Sequence, residues 1–222
     1  MSGIFAVVPV KDTKEAKQRL AAAAPPRLRQ ELALAMFEDV LSALAAAPEL
    51  AGIKIVTIDP EAAAIAARYG AECWSEGAHD GHTGAVTAAG QRLVAAGAAG
   101  MLTVPGDVPL VTAAEIDRLI AAHRPAPSFT IAPAHDEQGS NAILMSPPDA
   151  VPLRFGDNSY FPHLAAARAR GIEPCIVRLP GIAFDIDNPD DLAHFARLRS
   201  QTRAGRLIAA QNLLVMPAKA GT

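Results

Sequence analysis

Apolar and polar residues in the first half of the chain form a pattern that predicts strands and helices in alternation. Apolar runs typical of buried strands occupy residues 4–10, 53–58, 71–74 and 101–107. Between them apolar residues recur at helical spacing, and two helix starts are indicated, by Asp59 with Pro60 and by Thr112 with Glu115. This alternation predicts a parallel, doubly wound sheet.

The second half of the chain has a different pattern. Residues 129–134 and 141–146 predict two strands joined by a polar turn, shorter strands are expected at 175–179 and 183–187, and helices at 160–170 and from Pro189 onward. We therefore expect one α/β domain over residues 1–205, with a Rossmann-like, mixed but mostly parallel sheet flanked by helices. Residues 206–222 are expected to form a tail that is a docked segment, part of a subunit interface, or mobile.

Composition narrows the class of protein. A chain of 222 residues suits one domain, and 50% hydrophobic with 19% charged residues excludes a disordered protein. The net charge of −3 argues against a nucleic-acid binder, although a small phosphorylated ligand needs only a local basic cluster. Cys73 and Cys175 are expected to be reduced and mostly buried. Without a basic leader or an apolar run of about 20 residues, the chain is expected to be cytoplasmic, with no membrane partner.

A basic loop follows the first predicted strand and contains Lys11, Lys17 and Arg19. Ligands of open α/β sheets bind beyond the carboxyl ends of the strands, where these cations could hold the phosphates of a nucleotide. A solvated loop explains the same charges equally well. The chain lacks both the GxGxxG and the GxxxxGK[ST] patterns, so neither a dinucleotide fingerprint nor a P-loop is supported.

Carboxylates occur at two places that the predicted sheet would bring to the same edge. Asp107 lies in the turn expected at the carboxyl end of the fourth strand, where it could also be an ordinary turn or capping residue. Asp185 and Asp187 would share one face of a strand. Neighbouring carboxylates repel each other, and a cation relieves that repulsion. The three side chains together could hold Mg²⁺, which usually bridges substrate phosphates.

A further candidate site is the start of the helix expected at 160–170. Ser159 is placed as its N-cap, and Gly156 would let the backbone approach a ligand closely. The free amides of a helix start can bind an anion, although an ordinary capped turn has the same sequence.

Four motifs in order now give the chain a specific resemblance. VPVKDTKEAKQRL, GDVPL, GSNAILMSPPDAVPLRFGDNS and FDIDNPDDL resemble the 2-phospholactate and phosphoenolpyruvate guanylyltransferase family of deazaflavin coenzyme F(420) synthesis, over about residues 4 to 200. The resemblance implies a single-domain nucleotidyltransferase fold, related to that of molybdenum-cofactor guanylyltransferases. It also implies an enzyme that transfers GMP from GTP to the phosphate of a small phospho-acid and releases pyrophosphate, with Mg²⁺ as cofactor.

The resemblance assigns roles to particular residues of this chain. It implies metal binding by Asp107, Asp185 and Asp187, acceptor binding by Ser140, Gly156 and Ser159, and nucleotide binding by Pro9, Lys11, Lys17, Arg19, Gly84 and Gly106. Lys11, Lys17, Arg19 and Asp107 are the expected catalytic residues. The chain departs from the family at residues 81–85, which read GHTGA where many members have a Gly-Leu-Asn-Ala-type run, and at 136–141.

Several alternatives stay open at this stage. The acceptor is phospholactate, phosphoenolpyruvate, phosphoglycerate or another acid, and a homodimer is possible. Transfer of CMP or UMP, or of GMP to a molybdopterin, is a second interpretation, and a nucleotide-binding paralogue without catalysis is a third. His79 and His82 suggest surface or base contacts rather than a metal site, and His163 either faces the acceptor or lies exposed on its helix.

Overall fold

The structure is a computed structural model in which residues 3–156 and 158–211 are described. These residues form seven strands: β1 (Ile4–Pro9), β2 (Leu50–Val56), β3 (Glu72–Trp74), β4 (Gly100–Thr103), β5 (Ser128–Pro133), β6 (Ser140–Ser146) and β7 (Cys175–Ile176). The strands build a single sheet in the order β3-β2-β1-β4-β6-β5-β7.

Parallel pairing dominates the first half of the sheet, as the sequence pattern predicts. Strand β1 pairs in parallel with β2 and β4, and β2 pairs in parallel with β3. Strand β6 runs antiparallel to both β4 and β5, and β7 rejoins β5 in parallel. The expectation of a mixed, mostly parallel sheet, with an antiparallel addition from the second half, is confirmed.

Seven helices of the described chain flank this sheet: α1 (Pro26–Ala45), α2 (Pro60–Arg68), α3 (Gly81–Ala95), α4 (Ala113–Ala121), α5 (Tyr160–Ala169), α6 (Pro189–Leu198) and α7 (Arg203–Ala210). Their starts follow the sequence signals. The Asp59 carboxylate accepts hydrogen bonds from the amides of Glu61 and Ala62, and Thr112 and Glu115 form a capping box. Two short 3-10 helices, Thr13–Glu15 and Gln18–Leu20, lie in the basic loop between β1 and α1.

Both faces of the sheet are covered, which explains the continuous apolar runs of its central strands. On β1, Ala6 and Val8 belong to the core on the face packed by α1, whereas Phe5 and Val7 belong to the core on the face packed by α3. A third cluster joins α1, α6 and α7 to the segment between residues 184 and 187 through the buried Ile186. The described domain therefore has one sheet between two helical layers, with α6 and α7 added at one end.

Two of the expected strands are corrected by the structure. Strand β4 ends at Thr103, before Pro105, so it is shorter than the expected 101–107, and Asp107 lies in the turn that was expected at its carboxyl end. Residues 183–187 form no strand, because their backbone makes isolated hydrogen bonds rather than a ladder: His135 N donates to Ala183 O at 2.9 Å, and Ile186 N donates to Asp107 O at 3.3 Å. Ile186 is nevertheless buried and its two aspartate neighbours are not, so the expected alternation of faces holds without a strand.

Two further expectations differ from the structure. Cys73 is exposed on the edge strand β3 and Cys175 is half-buried, so the prediction that both thiols are mostly buried is wrong. Helix α7 runs across the boundary expected after residue 205, and the remainder of the expected tail, residues 212–222, lies outside the described residues. None of the helices in the described part of the chain is long and apolar enough to span a membrane.

Helix α7 is joined to α1 by a buried aspartate. The Asp39 side chain, only 5% exposed, accepts hydrogen bonds from the amides of Arg203 at 2.8 Å and Ala204 at 2.9 Å. These are amides of the first turn of α7, which have no acceptor within their own helix. Asp39 therefore caps a helix that is more than 160 residues away along the chain.

We expect Asp39→Ala to lower the free energy of unfolding by about 1–2 kcal/mol, because it leaves two amides of a helix start without their acceptor. The measurement is urea unfolding followed by circular dichroism. Asp149→Ala, at an exposed aspartate, is the control. Equal losses for the two variants would contradict the role given to Asp39.

Candidate functional site

An open cavity of about 1190 Å³ lies at the carboxyl ends of β1 and β4. The sheet order reverses at this point, since β2 lies on one side of β1 and β4 on the other, and such switch points are where open α/β sheets bind ligands. All but one of the site residues predicted from the sequence line this cavity: Pro9, Lys11, Lys17, Arg19, Gly106, Asp107, Ser140, Gly156, Ser159, Asp185 and Asp187.

The Lys17 ammonium lies at the centre of the charged end of the cavity. Its Nζ is 2.7 Å from Asp107 Oδ2 and 2.8 Å from Asp187 Oδ1, and the Lys17 side chain is 10% exposed. Burial alone would lower the pKa of Lys17, but the charges of the two aspartates outweigh it and the pKa is raised. Burial would raise the pKa of Asp107, but the Lys17 charge outweighs burial, and the pKa lies below its usual value. Both partners are therefore ionised at neutral pH.

Lys17 reaches this position from a strained backbone. Its φ of 54° lies in the left-handed region, which residues other than glycine seldom adopt. Residues in such conformations persist where surrounding contacts fix them, and here the two ion pairs do so. The basic loop is thereby shaped so that one of its lysines enters the cavity.

Asp185 completes the acidic side of this end. Its Oδ1 accepts a hydrogen bond of 3.0 Å from Asn141 Nδ2. Burial raises the pKa of Asp185; the Asn141 hydrogen bond opposes that rise, whereas the charges of Asp107 and Asp187 add to it. A carboxyl group whose pKa is raised by neighbouring carboxylates is one that an added cation would stabilise.

The three carboxylates do not form a ready-made metal cage. Within the described residues, no three His, Cys, Asp or Glu side chains are placed closely enough to hold a metal ion by themselves. The structure instead places the Lys17 ammonium between two of the aspartates.

The basic loop is anchored to the sheet edge by Asp59, the cap of α2. Asp59 Oδ2 accepts hydrogen bonds from the amide of Thr13 at 2.7 Å and from its hydroxyl at 2.5 Å. Burial would raise the pKa of Asp59, but these hydrogen bonds and those from Ala62 and Glu61 outweigh it, and the pKa is lowered. The same carboxylate thus caps a helix and holds the loop that carries Lys11 and Lys17.

Comparison with known proteins identifies the family. Residues 4–220 match the family described as "Guanylyl transferase CofC like". The chain belongs to this family. It is 40% identical over 195 residues to a phosphoenolpyruvate guanylyltransferase of Sphaerobacter thermophilus, covering 86% of this chain and 92% of the relative.

Two other comparisons extend this result. The chain is 36% identical over 194 residues to a 3-phospho-D-glycerate guanylyltransferase of Colwellia psychrerythraea, covering 87% of this chain and 91% of that one. A crystal structure from Desulfovibrio desulfuricans G20, described as a nucleotide-diphospho-sugar transferase, superposes with a TM-score of 0.76 at 17% identity, covering 96% of each chain. The latter likeness shows a shared fold, which agrees with the fold expected of a CofC-like guanylyl transferase.

Gly84 is the predicted site residue that this CofC-like chain does not bring to the cavity. It lies in the first turns of α3, where a side chain would collide with Asp80.

His82, two residues before Gly84, lines the cavity instead and stacks on Phe155 with ring centroids 4.1 Å apart. Burial lowers the pKa of His82 to about 4, a shift that Asp107 opposes and Lys11 adds to. Its Nε2 is buried and has no hydrogen-bond partner among the described residues.

The predicted acceptor residues line the cavity next to the loop that carries Asp136. Ser140 starts β6 and Ser159 precedes α5, and the Ser159 hydroxyl donates to Ser140 Oγ at 3.3 Å. Ser159 occupies the N-cap position, but its side chain makes no capping hydrogen bond, so that part of the prediction is wrong. His163 is 1% exposed and its Nδ1 lies 2.9 Å from Ser140 Oγ, which excludes the exposed alternative.

Sequence reasoning missed two polar residues that support this site. Asn141 was included in a strand, and Asp59 was recognised only as a helix cap. A weak signal for Asn141 was available, since it is a buried amide at the start of an otherwise apolar strand. The second role of Asp59 has no local signature, because its partner Thr13 lies 46 residues away.

We expect Asp59→Asn to lower the free energy of unfolding by about 2 kcal/mol at neutral pH, because the amide cannot accept all the hydrogen bonds that the carboxylate accepts. The folded-state pKa of Asp59 lies below its usual 3.8. The carboxylate therefore stabilises the fold above that value and loses this contribution as pH falls through the lower, folded-state pKa.

The measurement is urea unfolding of both proteins at neutral pH and in acid, where the difference between them should shrink. Glu61→Gln, at an exposed neighbour in the same helix turn, is the control. A difference that grows as the solution is acidified would show that the Asp59 charge is not the stabilising feature.

Proposed function

We propose that this protein transfers GMP from GTP to the phosphate of a small phospho-acid and releases pyrophosphate. The observation that carries the proposal is the polarity of one cavity in a member of a guanylyl transferase family. Lys17, Asp107 and Asp187 form a charged cluster in its wall, and Ser140 and Ser159 add a pair of hydroxyl groups. Relatives named phosphoenolpyruvate and 3-phospho-D-glycerate guanylyltransferase support the same reaction.

In the proposed reaction the residues of the chain position charges rather than form covalent bonds. An acceptor phosphate oxygen attacks the α-phosphorus of GTP; the new P–O bond forms as the bond to the β-phosphate oxygen breaks, and pyrophosphate leaves with that electron pair. Lys11 and Arg19, exposed side chains of the basic loop, would bind the triphosphate and offset the negative charge on the leaving group. The acceptor phosphate is already ionised near neutral pH, so no general base is required.

We further propose that Asp107, Asp185 and Asp187 hold Mg²⁺ in the working enzyme. Carboxylate oxygens suit this ion, and the raised pKa of Asp185 indicates a place where added positive charge is favourable. Mg²⁺ is commonly held by one or two carboxylates and substrate phosphates rather than by an all-protein cage, which agrees with the absence of such a cage among the described residues. When bound, the ion would neutralise phosphate charge.

The acceptor we propose is a three-carbon phospho-acid such as 2-phospho-L-lactate, phosphoenolpyruvate or 3-phosphoglycerate, used in the cytoplasm for deazaflavin coenzyme F(420) synthesis. Purified protein with Mg²⁺ should form a guanylylated product with at least one of these acids, detected by mass spectrometry. GTP should be preferred when ATP, CTP and UTP are supplied in parallel. Consumption of no nucleotide with any of the acids, under conditions where Mg²⁺-GTP binds, would indicate a binding protein instead.

We expect Asp185→Asn to reduce kcat/KM for GMP transfer by at least about a hundredfold, because the variant loses negative charge where the phosphates and Mg²⁺ meet. The assay is pyrophosphate release with GTP and the preferred acid. Asp190→Asn changes an exposed aspartate that lies nearby in sequence and does not line the cavity, and it should retain activity. Near-full activity of Asp185→Asn would exclude Asp185 from the metal site.

A further inference from the structure

A buried histidine behind the two serines of the cavity determines how Ser140 presents its hydroxyl group. His163 Nε2 lies 2.9 Å from the backbone nitrogen of Arg154, and His163 Nδ1 lies 2.9 Å from Ser140 Oγ. A backbone N–H can only donate, so Nε2 must accept and cannot carry a proton. In a neutral imidazole the proton is then on Nδ1, which donates to Ser140.

The environment of His163 keeps the ring neutral. The side chain is 1% exposed, and burial lowers its pKa to about 4, with a smaller contribution in the same direction from His82. An imidazolium would also place an N–H against the N–H of Arg154, so the charged form would lose that hydrogen bond.

Ser140 Oγ consequently accepts two hydrogen bonds, from His163 Nδ1–H and from the Ser159 hydroxyl. A hydroxyl has two lone pairs and one hydrogen, so both lone pairs are occupied and only its hydrogen is left. The described residues offer that hydrogen no acceptor besides Ser159 Oγ, at the longer distance of 3.3 Å, and Ser140 lines the cavity. The hydrogen is available to an anionic oxygen of a ligand.

We propose that His163 is a positioning residue for the acceptor: its Nδ1–H tautomer, fixed by the Arg154 amide, makes Ser140 a hydrogen-bond donor to an anionic oxygen of the phospho-acid. This inference rests on the proposed function for the identity of the ligand. His163 itself does not touch the reacting atoms and acts through Ser140. The hydrogen bond from the Arg154 amide to His163 Nε2 also fixes the loop that carries Gly156. The effect of His163 on Ser140 must therefore be separated from its effect on this loop.

Two near-isosteric variants separate them. In His163→Asn the amide nitrogen can replace Nδ1–H as the donor to Ser140, while the acceptor for Arg154 is lost. In His163→Gln the amide oxygen can replace Nε2 as the acceptor for Arg154, while the donor to Ser140 is lost. We expect His163→Gln to raise KM for the phospho-acid by about tenfold or more and His163→Asn to change it little, with KM for GTP unchanged in both.

The same effect must depend on Ser140. In a Ser140→Ala background, exchange of His163 for Gln should give no further increase in KM for the acid. If His163 only holds the loop, the order reverses: His163→Asn is impaired and His163→Gln is not. That reversal, or an effect of His163→Gln that persists without Ser140, would overturn the proposal.

A measurement without turnover keeps the inference distinct from the proposed function. Proton–nitrogen correlation spectra of histidine-labelled wild-type protein, with the His163 signals assigned from His163→Gln, should show the Nδ1–H tautomer at neutral pH. The Nε2–H tautomer or an imidazolium would overturn the inference whatever the activity. Calorimetric titration with phosphoenolpyruvate should also show weaker binding to His163→Gln than to wild type.

The outcomes for the two proposals are then separable. Wild-type protein that transfers no GMP, but that binds phosphoenolpyruvate in a His163-dependent manner, would refute the proposed reaction and uphold the positioning role. Transfer by wild type, with the same KM for the acceptor in both His163 variants, would uphold the proposed reaction and refute the positioning role. Neither transfer nor binding of any of the acids would refute both.

Discussion

The Lys17 ammonium, held between Asp107 and Asp187, is the interaction on which the site depends. It joins segments separated by 90 and 170 residues, so the basic loop after β1, the turn after β4 and the segment before α6 meet at one point. Burying a charge is costly unless it is paired, and removing one partner of a buried pair leaves the other uncompensated. The three segments therefore stabilise one another's positions, and the cavity is bounded by them.

This arrangement requires that the basic loop be fixed at more than one point. Asp59 holds Thr13, near the start of the loop, and the ion pairs hold Lys17. Lys11, on the other side of Thr13, is left exposed and lines the cavity. The net charge of −3 for the whole chain does not reveal that cations and carboxylates are gathered at one edge of the sheet. Local fields of this kind, rather than net charge, determine which ligand a cavity attracts.

The features that local sequence determines were predictable, and those that depend on distant partners were not. The buried run of β1 and the capping box at Thr112 need only neighbouring residues, and both were found. Residues 183–187 have the composition of a strand, but a strand needs a continuous ladder of hydrogen bonds. Here the backbone makes isolated ones, from His135 N to Ala183 O and from Ile186 N to Asp107 O. Likewise, the local sequence around His163 is compatible with an exposed helix face. Its burial depends on a contact with Ser140 of β6, which is distant in sequence.

The cavity uses ion pairs around Lys17 and a hydrogen bond from a neutral histidine at Ser140. This difference suits the proposed reaction. Cations belong beside the triphosphate, because negative charge accumulates on the leaving pyrophosphate as the bond breaks. A serine hydroxyl oriented by a neutral histidine binds an anionic oxygen with direction but without a full opposing charge. The low pKa of His163 thus keeps the ring behind Ser140 uncharged.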